Sequence, residues 1–120
     1  MVFQGSAVLA KGLPASPGCV SGKARVVLNP LSIHEFEDGE ILVTENTLPE
    51  WVAVMRRARA VVTDTGGITC HVSIVCRELG IPCIVGSNGS GEPATKTVQT
   101  GMVITVDATH GIVYAGYPGA

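Results

Sequence analysis

Residues 60–85 constrain the fold more than any other stretch. An apolar run, Ala60 to Thr63, leads into the pair Gly66-Gly67. An amphipathic stretch follows, then Gly80-Ile81-Pro82 and a second apolar run, Cys83 to Val85. Short apolar runs bounded by glycine and proline read as buried strands, and the stretch between them carries helical spacing. Gly80 closes that helix and Pro82 blocks its continuation. Strand, helix and strand in this order form a βαβ-like unit with His71 at the strand-to-helix switch. In an open α/β sheet, that edge is where ligands bind.

At 100° per residue counted from Cys70, the residues Val75, Leu79, Val72 and Cys76 fall at about 140°, 180°, 200° and 240°, an arc that faces a core. His71 falls near 100°, flanked by Ile74 near 40° and Glu78 near 80°, which places the imidazole at the rim of that stripe. Ile74 is an apolar side chain aimed away from the core. The first turn of a helix exposes unpaired N–H groups and carries roughly half a positive charge. That field disfavours imidazolium and favours an anion attached to the ring, as at other phosphate sites on helix starts. Gly66 and Gly67 keep side chains out of the path of an incoming group and allow positive φ. Thr69 is read as the N-cap, or as a hydroxyl within reach of the ring or its phosphate. A histidine so held is placed to carry a phosphoryl group.

Gly66-Gly67-Ile68-Thr69-Cys70-His71, with Ser73-Ile74 and Arg77-Glu78-Leu79-Gly80-Ile81-Pro82 after it, closely resembles the phosphohistidine signature of PEP-utilising enzymes. That family includes phosphoenolpyruvate synthase, pyruvate phosphate dikinase, enzyme I of the sugar phosphotransferase system and rifampicin phosphotransferase. The Thr-Cys pair before the histidine looks most like the synthase branch and the related phenylphosphate synthases. Val72, and Cys76 where the family usually has alanine, depart from the common pattern, and both lie on the core arc. The resemblance implies an α/β fold, the swivelling β/β/α phosphohistidine domain, with a mixed sheet and flanking helices. It implies His71 as the phosphoryl-accepting nucleophile, served by Thr69, Gly66 and Gly67, with Ile74, Cys70 and Arg77 at a surface that docks on partner domains. Those partners would be an ATP-grasp nucleotide-binding domain, which holds ATP and Mg2+, and a domain binding pyruvate or PEP or another acceptor. No cofactor and no metal is expected on this domain itself.

The 120 residues suffice for one domain with a real core. Hydrophobic residues make up 46% and charged residues 15%, which excludes a disordered segment. A net charge of −2 gives no electrostatic case for nucleic acid or an anionic membrane. No apolar run approaches the roughly 18 residues of a membrane span. The N-terminus lacks a charged segment followed by an apolar block, and a cytoplasmic location is expected. Cys19, Cys70, Cys76 and Cys83 have neither Cys-x-x-Cys nor zinc spacing, so they are expected as reduced thiols.

Elsewhere, residues 1–11 are expected as a linker, with Met1 to Gly5 read as part of it or as an expression remnant. The domain proper spans 12–116, beginning at the turn-rich Gly12 to Gly18. Strands are expected over 22–28 and 40–44, with His34 solvated in the loop between. A helix is expected from a Thr47/Glu50 capping box, with Trp51, Val54, Met55 and Ala58 as its core stripe. Arg56, Arg57 and Arg59 cluster at its end, where cations offset the helix dipole, with a docking or phosphate-contacting role as the alternative. Residues 87–101 read as a polar loop with a helical turn near Ala94. Residues 102–106 and 112–115 read as a hairpin in which His110 is a turn residue. Residues 117–120 read as an exit linker.

The chain has one activated nucleophile and no second base set beside it. It has no acidic cluster for magnesium and no phosphate-cradling loop, which suits a phosphoryl carrier. Asp64 is read as orienting the turn and Glu78 as solvated. A non-catalytic regulatory or ligand-binding module on the same fold is the alternative, and a thiol-based site at Cys70 a third.

Overall fold

The computed structural model describes residues 7–116. Eight strands form it: β1 (Val8–Lys11), β2 (Leu13–Ser16), β3 (Cys19–Val27), β4 (Ile41–Thr44), β5 (Ala60–Thr63), β6 (Cys83–Val85), β7 (Val103–Asp107) and β8 (Ile112–Ala115). Three short helices accompany them, α1 (Val52–Met55), α2 (His71–Leu79) and α3 (Ala94–Thr97). The strand order is β1-β8-β7-β3-β4-β5-β6-β2. Neighbours from β3 through β6 run parallel, and the remaining pairs run antiparallel.

The sheet does not lie open. β1 and β2 are separated by Gly12 alone, yet they occupy its two ends. The sheet therefore rolls over until its ends meet. Gly12 N–H donates to the Gly111 carbonyl at 2.8 Å across the seam, and a Cβ on Gly12 would lie 2.6 Å from the Val85 carbonyl oxygen. β3 turns the other corner: residues 19–23 pair with β7, and residues 24–27 pair with β4.

Two sheet halves and a helical layer result, with a core in each gap. Ile41, Val43, Ala60, Val62 and Ile84 face the other half-sheet, meeting Ile104, Val106 and Val113. The alternate residues Leu42, Val61, Cys83 and Val85 face Trp51, Met55, Val72 and Cys76. Strands covered on both faces read as continuous apolar runs, as β4, β5 and β6 do. Each fully buried aliphatic side chain contributes about 1.5–3 kcal/mol. The mixed sheet and flanking helices are thus as expected, in a β/β/α layering. Among the described residues no helix is long and apolar enough to cross a membrane.

Three local expectations are corrected. The folded unit starts before Gly12, because β1 pairs with β8 and buries Ala10. The helix after Thr47 is a 3-10 turn, Pro49–Trp51, running into the single turn of α1. Its capping box does not form: the Thr47 N–H is taken by Asn46 Oδ1 at 3.0 Å, and Leu48 occupies the cap position. Trp51 is buried as expected. The strand expected over 22–28 extends back to Cys19. Met1 to Gly5 and the exit linker at 117–120 lie outside the described residues.

Candidate functional site

β5 delivers the chain to the site, and hydrogen bonds hold the exit from that strand. The Thr63 hydroxyl donates to the Thr65 carbonyl, and Thr65 donates its N–H and its hydroxyl to the Glu45 carbonyl. Asp64 N–H donates to the Thr44 carbonyl at 3.1 Å. The buried Asp64 carboxylate accepts from the Thr95 N–H, the Thr95 hydroxyl and the Ser87 hydroxyl. Asp64 therefore fixes the 87–97 segment against the end of β5.

Gly66 adopts φ +106°, and a Cβ on it would sit 3.0 Å from Cys70 Sγ, so only glycine fits. Gly67 does not have a positive φ and has open space where a Cβ would stand, so the expectation of positive φ holds for Gly66 alone. Its carbonyl does the positioning instead. It accepts the Cys70 N–H at 3.1 Å and the Ser73 hydroxyl at 2.7 Å.

α2 starts at His71 with Cys70, not Thr69, in the cap position, and no side chain caps it. Thr69 is exposed and has no hydrogen-bond partner among the described residues. The Cys70 N–H is already bound to Gly67, which sets the turn one residue later than expected. The first helical hydrogen bond runs from Ile74 N–H to the Cys70 carbonyl at 3.1 Å, so the N–H groups of His71, Val72 and Ser73 precede it. At the far end Gly80 closes the helix with φ +71°.

Burial on α2 is rotated from the expected arc. Val72, Ser73 and Cys76 are its buried residues, while Val75 and Leu79 are half-buried. Ser73 turns inward because its hydroxyl has the Gly67 carbonyl to satisfy. The rotation carries His71 further outward. Its imidazole is exposed and has no hydrogen-bond or ion-pair partner among the described residues. Ile74 (45% exposed) lies one turn along the same side of the helix, and Ile68 (53% exposed) precedes it in the loop.

Cys70 is part-buried beneath the turn, its sulfur 3.4 Å from Ser73 Oγ. Burial pushes the thiol up, but its contact with Ser73 and the polar backbone around the turn outweigh burial and bring it below the ordinary value. Cys83 behaves oppositely: the neighbouring Cys76 thiol and burial both push it up. Arg77 donates to the Ala15 carbonyl at 2.9 Å and to the Ile68 carbonyl at 2.8 Å, tying α2 to β2 and to the loop. Glu78 is exposed and makes no ion pair among the described residues. His34 bonds the Leu31 carbonyl and His110 bonds Asp107, so each of these two rings is engaged. Among the described residues, no group of three His, Cys, Asp or Glu side chains is set to hold a metal ion.

Sequence reasoning missed the roles of Ser73, Ser87 and Thr95. Ser73 was visible only as a polar interruption of an apolar face. Ser87 and Thr95 lie 23 and 31 residues from Asp64, beyond any local pattern.

Fold and site together define a layered β/β/α domain that presents an unengaged histidine at the start of a helix. The chain belongs to the PEP-utilising enzyme mobile-domain family, whose model matches residues 36–111. It is 52% identical over 109 residues to the probable phosphoenolpyruvate synthase of Archaeoglobus fulgidus, covering 91% of this chain and 14% of that protein. It is 50% identical over 109 residues to the phosphoenolpyruvate synthase of Pyrococcus furiosus, covering 91% of this chain and 13% of that protein. The chain thus spans well under a fifth of the length of these relatives. A solution structure of Enzyme I superposes with a TM-score of 0.57 at 29% identity, covering 70% of this chain and 33% of that one. The holo-form of Thermococcus kodakaraensis aconitase X superposes with a TM-score of 0.63 at 21% identity, over 90% of this chain and 98% of that one, which shows the shared fold alone.

Proposed function

We propose that this domain is the phosphoryl carrier of a phosphoenolpyruvate synthase-like phosphotransferase and that His71 is its nucleophile. One observation carries the reading: His71 stands at the first position of α2, exposed and free of any partner among the described residues. A lone pair on the ring attacks phosphorus, an N–P bond forms, and the bond to the leaving group breaks with its electrons. The phosphoryl oxygens then lie where the helix start offers N–H groups and a partial positive charge.

The domain supplies positioning and little else. Gly66 and the Gly67 carbonyl set the turn, Ser73 locks it, and Arg77 holds the loop from outside. Thr69, exposed two residues before His71, offers its hydroxyl to the phosphoryl group. Ile74 and Ile68 give an apolar contact next to the reactive atom, suited to docking on partner domains. The partners are an ATP-grasp domain, where ATP and Mg2+ sit, and an acceptor domain for pyruvate, PEP or a similar compound. The carrier swivels between them, in the cytoplasm.

Incubating the chain with phosphoramidate, a small phosphoryl donor, tests the nucleophile directly. Acid-labile, base-stable phosphate is expected on the wild type, absent from His71→Ala and largely kept in Cys70→Ser. Labelling that survives in His71→Ala would reject the reading.

A further inference from the structure

Of the six large apolar side chains exposed among the described residues, five lie along the edge where the parallel strands end: Leu13, Leu28, Leu31, Ile68 and Ile74. Leu13 pairs with Val85 at the end of β6. A Cβ on Gly86 would lie 3.8 Å from Leu13 Cδ1 and 2.9 Å from the Gly66 carbonyl oxygen, so Leu13 borders the glycine loop. Leu28 and Leu31 stand on the other side. Val27, Thr44 and Thr63 are level in the register of β3, β4 and β5. Leu28 therefore leaves the sheet two strand spacings, about 10 Å, from Asp64 and the loop that leads to His71.

Hydrogen bonds order the turn that holds these two leucines. Pro30 starts the 3-10 turn Pro30–Glu35, and Asn29 Oδ1 accepts the Leu31 N–H at 3.0 Å. The Asn29 carbonyl accepts the Ser32 N–H at 2.8 Å, and the His34 ring donates to the Leu31 carbonyl at 2.6 Å. Ile33 and Phe36 join the core that also holds Val72 and Cys76 of α2, so turn and helix share one layer. Leu28 is nevertheless 61% exposed and Leu31 79%. Apolar side chains held outward on an ordered turn lose little freedom when covered, as an interface anchor requires.

A body that covers both Leu31 and His71 is the size of a domain. This chain matches 14% and 13% of the length of the two synthases, so most of such a protein lies outside it. Charge selects among the domains. In the row between Leu28 and the glycine loop lies Glu45, whose carbonyl holds Thr65. Its exposed carboxylate has no ion pair among the described residues. The Arg77 fork is taken up by the Ala15 and Ile68 carbonyls. A domain that holds a triphosphate gathers more cations than one that holds a monocarboxylate such as pyruvate.

We propose that Leu28 and Leu31 are a second anchor for the ATP-binding domain that phosphorylates His71, seated in an apolar hollow of that domain while one of its cations faces Glu45. The inference rests on the carrier reading above and adds the element that sets the donor apart from the acceptor.

The test uses the phosphotransferase that carries this domain, with label entering His71 from ATP, from PEP, or from phosphoramidate, which needs no docking. With Leu28→Ser and Leu31→Ser combined, the single-turnover rate from ATP should fall at least tenfold. The rates from PEP and phosphoramidate and the melting temperature should stay close to wild type. Glu45→Gln should flatten the salt dependence of the ATP reaction alone. An unchanged ATP rate, or a rate from PEP or phosphoramidate that falls as far, would overturn the proposal. So would self-association of the protein that the double variant abolishes, which would make a second copy the occupant. A wild type that takes label from none of the three donors would instead reject His71 as the carrier, and this inference with it.

Discussion

The Ser73 hydroxyl donates to the Gly67 carbonyl at 2.7 Å, joining the first turn of α2 to the glycine loop that precedes it. Ser73 is fully buried, so replacing it with alanine removes one of the two hydrogen bonds that the Gly67 carbonyl accepts and leaves the Cys70 N–H as its partner. Ser73→Ala should lower unfolding free energy by about 0.5–1.5 kcal/mol, read as a fall in the urea midpoint with unchanged slope. It should also slow phosphorylation of His71, because the loop that seats the ring loses its tie. A variant with wild-type stability would show that the bond contributes nothing.

Gly66 and Gly67 separate by the same logic. Gly66→Ala meets both a φ of +106° and the Cys70 sulfur at 3.0 Å, and should cost about 1–3 kcal/mol. Gly67→Ala meets neither and should stay within about 0.5 kcal/mol of wild type. Thermal unfolding of the two variants side by side checks this, and equal losses would contradict it.

Ile74 is 45% exposed beside His71, on a helix whose buried residues lie elsewhere. Ile74→Asp should leave the melting temperature nearly unchanged and slow phosphoryl exchange with a partner domain tenfold or more. Chemical phosphorylation by phosphoramidate, which needs no docking, should proceed as before. Equal slowing of both reactions would place Ile74 in the reaction rather than in docking.

Cys70 ionises below the ordinary thiol value, whereas Cys83 is pushed above it. The thiolate is the nucleophile toward alkylating agents, so iodoacetamide should modify Cys70 at a lower pH than it modifies free cysteine. Cys83 should stay unmodified in the folded chain. Peptide mass mapping against pH reads both, and a Cys70 profile matching free cysteine would contradict the electrostatics described.

Much of this architecture could be read from residues alone, and the failures have physical causes. β5, α2 and β6 were legible because apolar runs, helical spacing, Gly80 and Pro82 agree with one another over one local stretch. The closure of the sheet was not, since it depends on Gly12 meeting Gly111 and Val85, contacts between residues far apart in the chain. β1 was lost for the same reason: Val8 to Lys11 shows no strand pattern beyond its pairing with β8. The Thr47/Glu50 box failed because the Asn46 side chain holds the Thr47 N–H, and the Thr69 cap failed because the Gly67 carbonyl holds the Cys70 N–H in a turn and the helix starts one residue later. At the site, the place of His71 at the helix start and the positive φ of Gly66 were legible. The rotation of α2 was not, because a buried serine outweighed the apolar count.

The central claim is that the His71 ring carries the phosphoryl group, and a phosphorus-detected NMR correlation tests it most directly. In the phosphorylated chain, 31P should couple to imidazole protons that assign to His71, and the signal should disappear in acid. A phosphorus signal coupled instead to Thr69, Cys70, His34 or His110 would contradict the account.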